Sequence, residues 1–147
     1  MKITCKRIVR GKARGSVLML HEPLNFLGMV NTKTGEISSR NGGQEKDHLI
    51  DKILVFPNSI GSSVGAYTIF SLKCNTNSPK GIICTNKVDI TTASGCAISN
   101  IPLAWIDSNS YNKFIEFING NSIHRNEIEI QMDTESEIIS IDQKKSL

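Results

Sequence analysis

The sequence predicts an α/β protein, with a small central parallel sheet and flanking helices beside a β-rich, barrel-like part from both chain ends. Three observations predict this class. The middle of the chain alternates short apolar runs with longer helical patterns, in a β-α-β-α-β-α order typical of parallel sheets. Both ends carry short alternating segments, which indicate strands. The length of 147 residues fits one domain, which we predict over residues 1–147.

The N-terminal part is predicted to be strands and turns. Its predicted elements are, in order, a strand over 3–9 that ends at Gly11, a strand over 16–20, an apolar segment over 25–30, a turn over 31–35, a short strand over 36–39 and a loop over 40–47. Gly28 interrupts the apolar segment, which favours either a bulge or a close backbone approach.

The central and C-terminal elements follow from apolar periodicity and from capping residues. They are a buried strand over 52–56, a helix over 64–72, a turn over 75–79, a buried strand over 81–84, a short helix around 93–98, a strand over 101–106, an amphipathic helix capped by Asp107 or Ser108 and ended by residues 119–120, strands around 127–130 and 137–141, and a frayed tail over 143–147. Apolar residues surround the helix over 64–72, so we expect it to be largely buried.

The charge distribution is uneven although the net charge is only +3. Basic residues crowd the start and acidic residues crowd the end, and we expect them to pair with each other or with a partner subunit. The basic start lacks interleaved aromatic residues, which disfavours nucleic-acid binding. No apolar run reaches the roughly 20 residues that span a membrane, and the start is not a secretory signal. These features predict a cytoplasmic protein that does not bind membranes.

Neither the cysteines nor the histidines suggest a metal site. The four cysteines form no C-x-x-C pair and have no histidine at ligand spacing, so we expect reduced cysteines in apolar surroundings and no cofactor bound by this chain. His21, His48 and His124 are far apart and are predicted to be exposed.

The candidate site is the segment Gly61-Ser62-Ser63-Val64-Gly65, here called the Gly-Ser hinge. It joins the buried strand over 52–56 to the following helix. The first N–H groups of a helix lack intrahelical acceptors and lie at the positive end of its dipole. Such a position can bind an anion or stabilise a serine alkoxide.

The Gly-Ser hinge has other interpretations. A serine that merely caps the helix is the default explanation, and the residues alone leave this open. Gly61-x-Ser63-x-Gly65 also matches the G-x-S-x-G nucleophile elbow, but the chain is short and has only His124 downstream, which disfavours a hydrolase. In a parallel sheet, the loop after the strand over 81–84 shares the edge of the hinge, where Lys87 could meet an anion.

Five separated segments carry a family resemblance: residues 25–28, 53–57, 61–65, 82–86 running on to 93–95, and 101–102. In order and spacing they resemble the small subunit of aconitase X, over the chain up to Ile106. The resemblance implies a swivelling β/β/α domain that pairs with a large aconitase-like subunit, and that subunit is expected to carry an iron–sulfur cluster of the 4Fe–4S type.

The resemblance also implies an activity. The expected reaction removes water from (R)-5-phosphomevalonate and gives trans-anhydromevalonate 5-phosphate in an archaeal isoprenoid route. Ser62 is carried over as the proton acceptor, which takes a proton from the carbon next to the carboxylate while the cluster iron withdraws the hydroxyl. Gly61, Ser63, Val64 and Gly65 are then expected to bind the phosphorylated hydroxy acid.

The chain departs from the family pattern in two places. Many relatives carry a basic residue just before the Gly-Ser pair, where this chain has Ile60. The segment after Asn121 also matches the family poorly. Two alternatives stay open from the sequence: a dehydratase for another hydroxy acid such as cis-3-hydroxy-L-proline, and a non-catalytic binding or carrier module.

Overall fold

The structure is a computed structural model that describes residues 1–38 and 47–144. The predicted loop over 40–47, except for Asp47, and the last three residues of the predicted tail lie outside the described residues. The elements within these ranges are β1 (Lys2–Thr4), β2 (Lys6–Val9), β3 (Lys12–Met19), α1 (Phe26–Met29), β4 (Glu36–Ile37), β5 (Asp47–His48), β6 (Ile53–Phe56), α2 (Gly65–Cys74), β7 (Gly81–Cys84), α3 (Ile90–Ser99), β8 (Leu103–Trp105), α4 (Ser108–Gly120), a 3-10 helix (Arg125–Glu127), β9 (Ile128–Asp133) and β10 (Ile138–Gln143).

One continuous sheet unites the two predicted parts of the fold. Within the described residues its eight strands have the order β1-β10-β9-β3-β6-β7-β8-β2. The centre, β3-β6-β7-β8, is parallel, and the flanking pairs are antiparallel. The two outermost strands, β1 and β2, are separated in sequence by Cys5 alone, so the sheet coils until its edges meet. The expected parallel sheet and barrel-like part are confirmed, and they share β3.

Two hydrophobic cores lie on the two faces of this sheet. Side chains of successive strand residues point to opposite faces. In β6, Ile53 and Val55 accordingly belong to the core that also contains Phe114 of α4, whereas Leu54 and Phe56 belong to the core beneath α1, α2 and α3. All four residues of β6 are buried, as the sequence predicted for a strand covered on both faces.

Two predicted elements of the N-terminal part differ from the structure. The single strand predicted over 3–9 is two strands, because the chain leaves β10 after Thr4 and pairs with β8 from Lys6 onward. The apolar segment around Gly28 forms the short helix α1, whose N-cap is Asn25. Gly28 therefore permits close contact with the Asn25 side chain rather than a strand bulge.

The prediction that α2 is largely buried is wrong for one of its sides. Ala66, Ile69 and Leu72 face the core, but Tyr67 is 67% exposed and Phe70 is 42% exposed. Of the cysteines, Cys5, Cys84 and Cys96 are buried as expected, whereas Cys74 at the end of α2 is exposed.

The basic start and the acidic end pair with each other, as one of the two expected arrangements. Strands β3 and β9 are antiparallel neighbours, and this register places Arg14 Nε 2.6 Å from a Glu129 oxygen and Lys12 Nζ 3.8 Å from an Asp133 oxygen. In the same region, Arg10 Nη2 lies 2.6 Å from Glu135 Oε1. None of the helices in the described ranges is both long and apolar enough to cross a bilayer.

Candidate active site

The Gly-Ser hinge lies at the carboxyl edge of the parallel strands. The backbone N–H of Thr85 donates to Phe56 O at 2.9 Å, and that of Asn86 donates to Pro57 O at 3.1 Å. The Nδ2 of Asn86 also donates to Asn58 Oδ1 at 3.0 Å. The loops after β6 and β7 therefore run side by side, which confirms the predicted shared edge of the sheet. Lys87 is exposed in the second of these loops.

The loop between β6 and the hinge is fixed on one side by the segment before α1. Leu24 N–H donates to Asn58 O at 3.1 Å, and Ile60 N–H donates to Leu24 O at 3.1 Å. This exchange of hydrogen bonds extends the sheet by one parallel bridge between Leu24 and Ser59. Ile60, the residue immediately before Gly61, is thereby fixed at its backbone.

Asp89, the N-cap of α3, fixes the same loop from the other side. Its carboxylate accepts bonds from the N–H of Ser59 at 2.9 Å and from the Ser59 hydroxyl, and also from Thr92 N at 2.9 Å and Thr92 Oγ1 at 2.8 Å. Burial opposes ionisation of this carboxyl, but the four hydrogen bonds outweigh it, so the pKa of Asp89 lies below its usual range. The ionised carboxylate of Asp89 thus connects α3, through hydrogen bonds, to the loop that leads to the hinge.

Gly61 begins the hinge in a conformation that suits glycine. Its φ of +91° lies in the left-handed region. A Cβ atom at this position would lie 2.7 Å from Asn25 Oδ1 and 2.8 Å from Asn25 Nδ2. Both the backbone angle and the neighbouring carboxamide therefore require glycine here.

Ser62 is exposed, and its hydroxyl accepts a hydrogen bond from the backbone N–H of Val64 at 3.1 Å. The N–H groups of Gly65 and Ala66 donate to the carbonyl oxygens of Ser62 and Ser63, at 3.0 and 3.2 Å. The N–H groups of residues 61, 62 and 63 find no acceptor among the described residues. The free donors therefore lie at and before the serine pair, one turn earlier than the start of α2.

Ser63 and Gly65 have different surroundings. Ser63 is exposed, and its hydroxyl makes no hydrogen bond with any part of the chain that the structure describes. Gly65 is buried, and a Cβ there would lie 3.1 Å from Thr91 Cγ2 and 3.5 Å from Phe26 Cβ. Gly65 thus lets α1 and α3 pack closely against the first turn of α2.

Exposed apolar side chains surround the hinge. A Cβ on Gly65 would lie 3.1 Å from Thr91 Cγ2 and 3.9 Å from the backbone N of Leu27, so the exposed residues Leu27 and Ile90 belong to segments that pack against the first turn of α2. We call the following set the apolar rim: Leu27, Ile60, Val64, Tyr67 and Ile90, which are between 39% and 79% exposed. Isolated exposed apolar residues are ordinary, whereas contiguous apolar patches mark interaction surfaces.

Among the residues that the structure describes, no donor set fits a metal or an iron–sulfur cluster. Cluster ligation requires thiolates. Burial, with a smaller effect of Glu137, raises the pKa of Cys5 to about 11, and burial raises the pKa values of Cys84 and Cys96 further. Within residues 1–38 and 47–144, no group of three or more His, Cys, Asp or Glu side chains is placed to hold a metal. The three histidines are exposed, as predicted.

Sequence reasoning missed two residues that shape the site, Asn25 and Asp89. Each precedes a helix as an Asx residue, which is the ordinary signal of an N-cap. Their contacts with Gly61 and Ser59 join segments that are about 30 residues or more apart in the sequence, which no local pattern reveals.

Comparison with known proteins gives a consistent family. The sequence model described as the aconitase X swivel domain matches residues 2–140, so the similarity continues beyond Ile106 and through β9. A Thermococcus kodakarensis protein named phosphomevalonate dehydratase small subunit is 41% identical over 103 residues, which cover 70% of this chain and 77% of that protein. A Methanococcoides burtonii protein of the same name is 41% identical over 123 residues, 84% of this chain and 88% of that protein.

Solved structures agree with the sequence relatives. The crystal structure of holo-form aconitase X from Thermococcus kodakaraensis superposes with a TM-score of 0.78 at 31% identity, covering 97% of this chain and 99% of the other. A solution NMR structure of a UPF0107 protein superposes with a TM-score of 0.80 at 28% identity, covering 97% of this chain and all of the other.

Proposed function

The chain belongs to the aconitase X swivel domain family, and from that membership we propose that it is the small subunit of a two-subunit phosphomevalonate dehydratase. The proposed reaction removes water from (R)-5-phosphomevalonate and yields trans-anhydromevalonate 5-phosphate. This proposal draws on the names of relatives about 40% identical to the chain. Within the enzyme, we assign Ser62 the role of proton acceptor.

The observation that carries the role of Ser62 is the hydrogen bond from Val64 N–H to Ser62 Oγ, at 3.1 Å. A serine hydroxyl is a weak base, so it must act as an alkoxide that hydrogen-bond donors stabilise. The Val64 N–H and the positive end of α2 favour that negative charge. The alkoxide then takes a proton from the carbon next to the substrate carboxylate and becomes a neutral hydroxyl.

The remaining hinge residues have supporting roles in this proposal. The free N–H groups of residues 61–63 can donate to an anionic group of the substrate, since donors at a helix start bind anions. Val64 and Gly65 act on Ser62 itself, because their N–H groups donate to its Oγ and its carbonyl oxygen. Ile60 supplies no charge, so these neutral donors are the proposed anion contacts.

The large subunit completes the site in this proposal. The apolar rim, whose Ile60 and Val64 lie two residues before and after Ser62, is the surface that we propose to contact the large subunit, because a partner favourably buries exposed apolar side chains. We assign the iron–sulfur cluster to the large subunit, since the described residues of this chain form no ligand set for one. The contribution of this chain is limited to binding the acid and moving the proton.

The test is turnover of 5-phosphomevalonate by the reconstituted two-subunit complex, with Ser62→Ala and Ser63→Ala beside the wild type. General-base catalysis contributes about 100-fold to 10,000-fold, so Ser62→Ala is expected to lower kcat by that factor. Ser63→Ala is the matched control and is expected to stay within about tenfold of the wild type.

The outcomes separate the alternatives. If Ser62→Ala keeps full kcat, Ser62 is a helix-capping residue and not the base. If the wild-type complex dehydrates cis-3-hydroxy-L-proline and not 5-phosphomevalonate, the proposed substrate is wrong. If the large subunit turns over equally well without this chain, the chain is a non-catalytic module. Thermal unfolding of the variants distinguishes loss of the base from loss of the fold.

A further inference from the structure

Asn25 has a side chain whose orientation is fixed and whose donor is unused. Its Oδ1 accepts the N–H of Gly28 at 3.1 Å, as the N-cap of α1. Because an N–H group must face an oxygen, this bond determines which end of the carboxamide is Nδ2. The Nδ2 group donates to no atom of the residues that the structure describes.

The carboxamide of Asn25 also fills the space beside Gly61. A Cβ on Gly61 would lie 2.8 Å from Asn25 Nδ2, and a Cβ on Gly28 would lie 3.0 Å from the same nitrogen. Two glycines therefore admit this side chain, and its Nδ2 lies next to the residue that precedes Ser62. Asn25 is half-buried, and its two Nδ2 N–H groups have no partner among the described residues.

Helix capping accounts for Oδ1 but not for Nδ2. Serine and aspartate cap helix starts about as well as asparagine does. The carboxamide differs from both in carrying an NH2 group, and that group lies beside Gly61, the residue before the proposed base. We propose that Asn25 is a further substrate-binding residue, whose Nδ2 donates a hydrogen bond to the carboxylate of the acid at Ser62; this inference rests on the proposed function.

A neutral donor suits this position. Hydrogen bonds to an ionised acceptor are about twice as strong as those between neutral groups. Together with the free N–H groups of residues 61–63, Asn25 would bind a carboxylate without a cation, which agrees with Ile60 at the preceding position. Binding the carboxylate there would bring the neighbouring C–H bond to Ser62 Oγ.

The test is the Asn25→Asp variant in the reconstituted complex. Aspartate keeps the cap and the shape, but it replaces the donor by an anionic oxygen that repels the substrate. We expect KM for 5-phosphomevalonate to rise at least tenfold with kcat within about threefold, the signature of lost substrate binding. Asp107→Asn, the reciprocal exchange at the N-cap of α4, is the matched control and is expected to leave KM unchanged.

The results separate this inference from the proposed function. A wild-type complex that does not dehydrate 5-phosphomevalonate refutes the proposed function and the Asn25 inference with it. An active wild-type complex whose Asn25→Asp variant keeps the wild-type KM overturns the Asn25 inference alone. A fall in kcat at unchanged KM also overturns it, because Asn25 would then act only by placing Ser62. If Asn25→Asp does not assemble with the large subunit, Asn25→Ser, which keeps a capping oxygen, decides between the same outcomes.

Discussion

Replacing Asp89 by asparagine tests how the loop before the Gly-Ser hinge is held. One carboxylate oxygen of Asp89 accepts the backbone N–H of Ser59, and the other accepts the backbone N–H of Thr92, both at 2.9 Å. Asparagine has one oxygen and one NH2 group in their place. Whichever way its carboxamide turns, one of the two backbone N–H groups faces a donor.

The expected loss of unfolding free energy follows from the number of hydrogen bonds that the variant cannot make. The variant loses one charge-assisted hydrogen bond and leaves one half-buried N–H without an acceptor, which costs about 2 kcal/mol of unfolding free energy. For a domain of this size, about 2 kcal/mol lowers Tm by about 4 to 8 °C. The assay is equilibrium unfolding of the wild type and of Asp89→Asn, in denaturant at neutral pH.

The pH dependence supplies a second measurement. The pKa of Asp89 is lowered in the folded state, so its stabilising effect is complete above the pKa of the unfolded chain, about 3.9. That effect is lost as the pH falls through the lower folded-state pKa. Asparagine does not titrate, so the difference between the two proteins should be constant near neutral pH and narrow below about pH 4.

Two results would refute this reasoning. A loss below about 0.5 kcal/mol at neutral pH would mean that Asp89 does not hold the loop. A difference that stays constant down to about pH 3 would mean that the charge of the carboxylate does not matter. The half-buried carboxyls Glu129 and Asp133 also have lowered pKa values, but both proteins share them, so they cancel in the difference.

Two further pairs of variants test the two sides of α2: its packing against α3, and its proposed contact with the large subunit. Gly95→Ala should lower the unfolding free energy by about 1 to 3 kcal/mol, because its Cβ would lie 2.6 Å from Ile69 Cδ1 and 3.3 Å from Ala66 Cα. Gly120→Ala, which meets no atom within 4 Å, should raise it by about 0.5 kcal/mol, and equal signs in denaturant unfolding would contradict this account. Tyr67→Asp should weaken binding to the large subunit at least tenfold in a titration, whereas Asn112→Asp on α4 should not. Normal binding by Tyr67→Asp would exclude α2 from the interface.

The sequence was most informative where one local pattern has one structural cause. Uninterrupted apolar residues in β6 and β7 predicted strands buried on both faces, and every residue of both strands is buried. The spacing of Phe114 and Ile118 predicted the inner side of α4, and both are buried. In each case the apolar pattern predicts burial directly, because neighbouring residues in the sequence determine which side of the element is apolar.

Prediction failed where the cause lies outside the local segment. Alternation over 3–9 indicates extended chain, but it does not reveal that the partner strand changes at Cys5. Apolar residues around α2 indicate contact with other apolar atoms, but not whether these belong to the same chain. The exposed Tyr67 and Phe70 show that part of this helix surface is left uncovered by the described residues. For the hinge, the sequence located the free donors, whereas the contact between Asn25 and Gly61 required the folded chain.

The exposure of Ser62 explains why proton removal and subunit contact must be linked in the proposed enzyme. The Val64 N–H and the start of α2 favour an alkoxide, but exchange with water weakens such electrostatic stabilisation at an exposed site. Val64 of the apolar rim donates its N–H to the Ser62 hydroxyl, so a partner surface over the rim would also lie close to Ser62. One contact would then have two effects. Burial of the rim would supply binding free energy, and exclusion of water would strengthen the hydrogen bonds donated to Ser62. In the proposed enzyme, the Ser62 site is therefore complete only when the large subunit covers it.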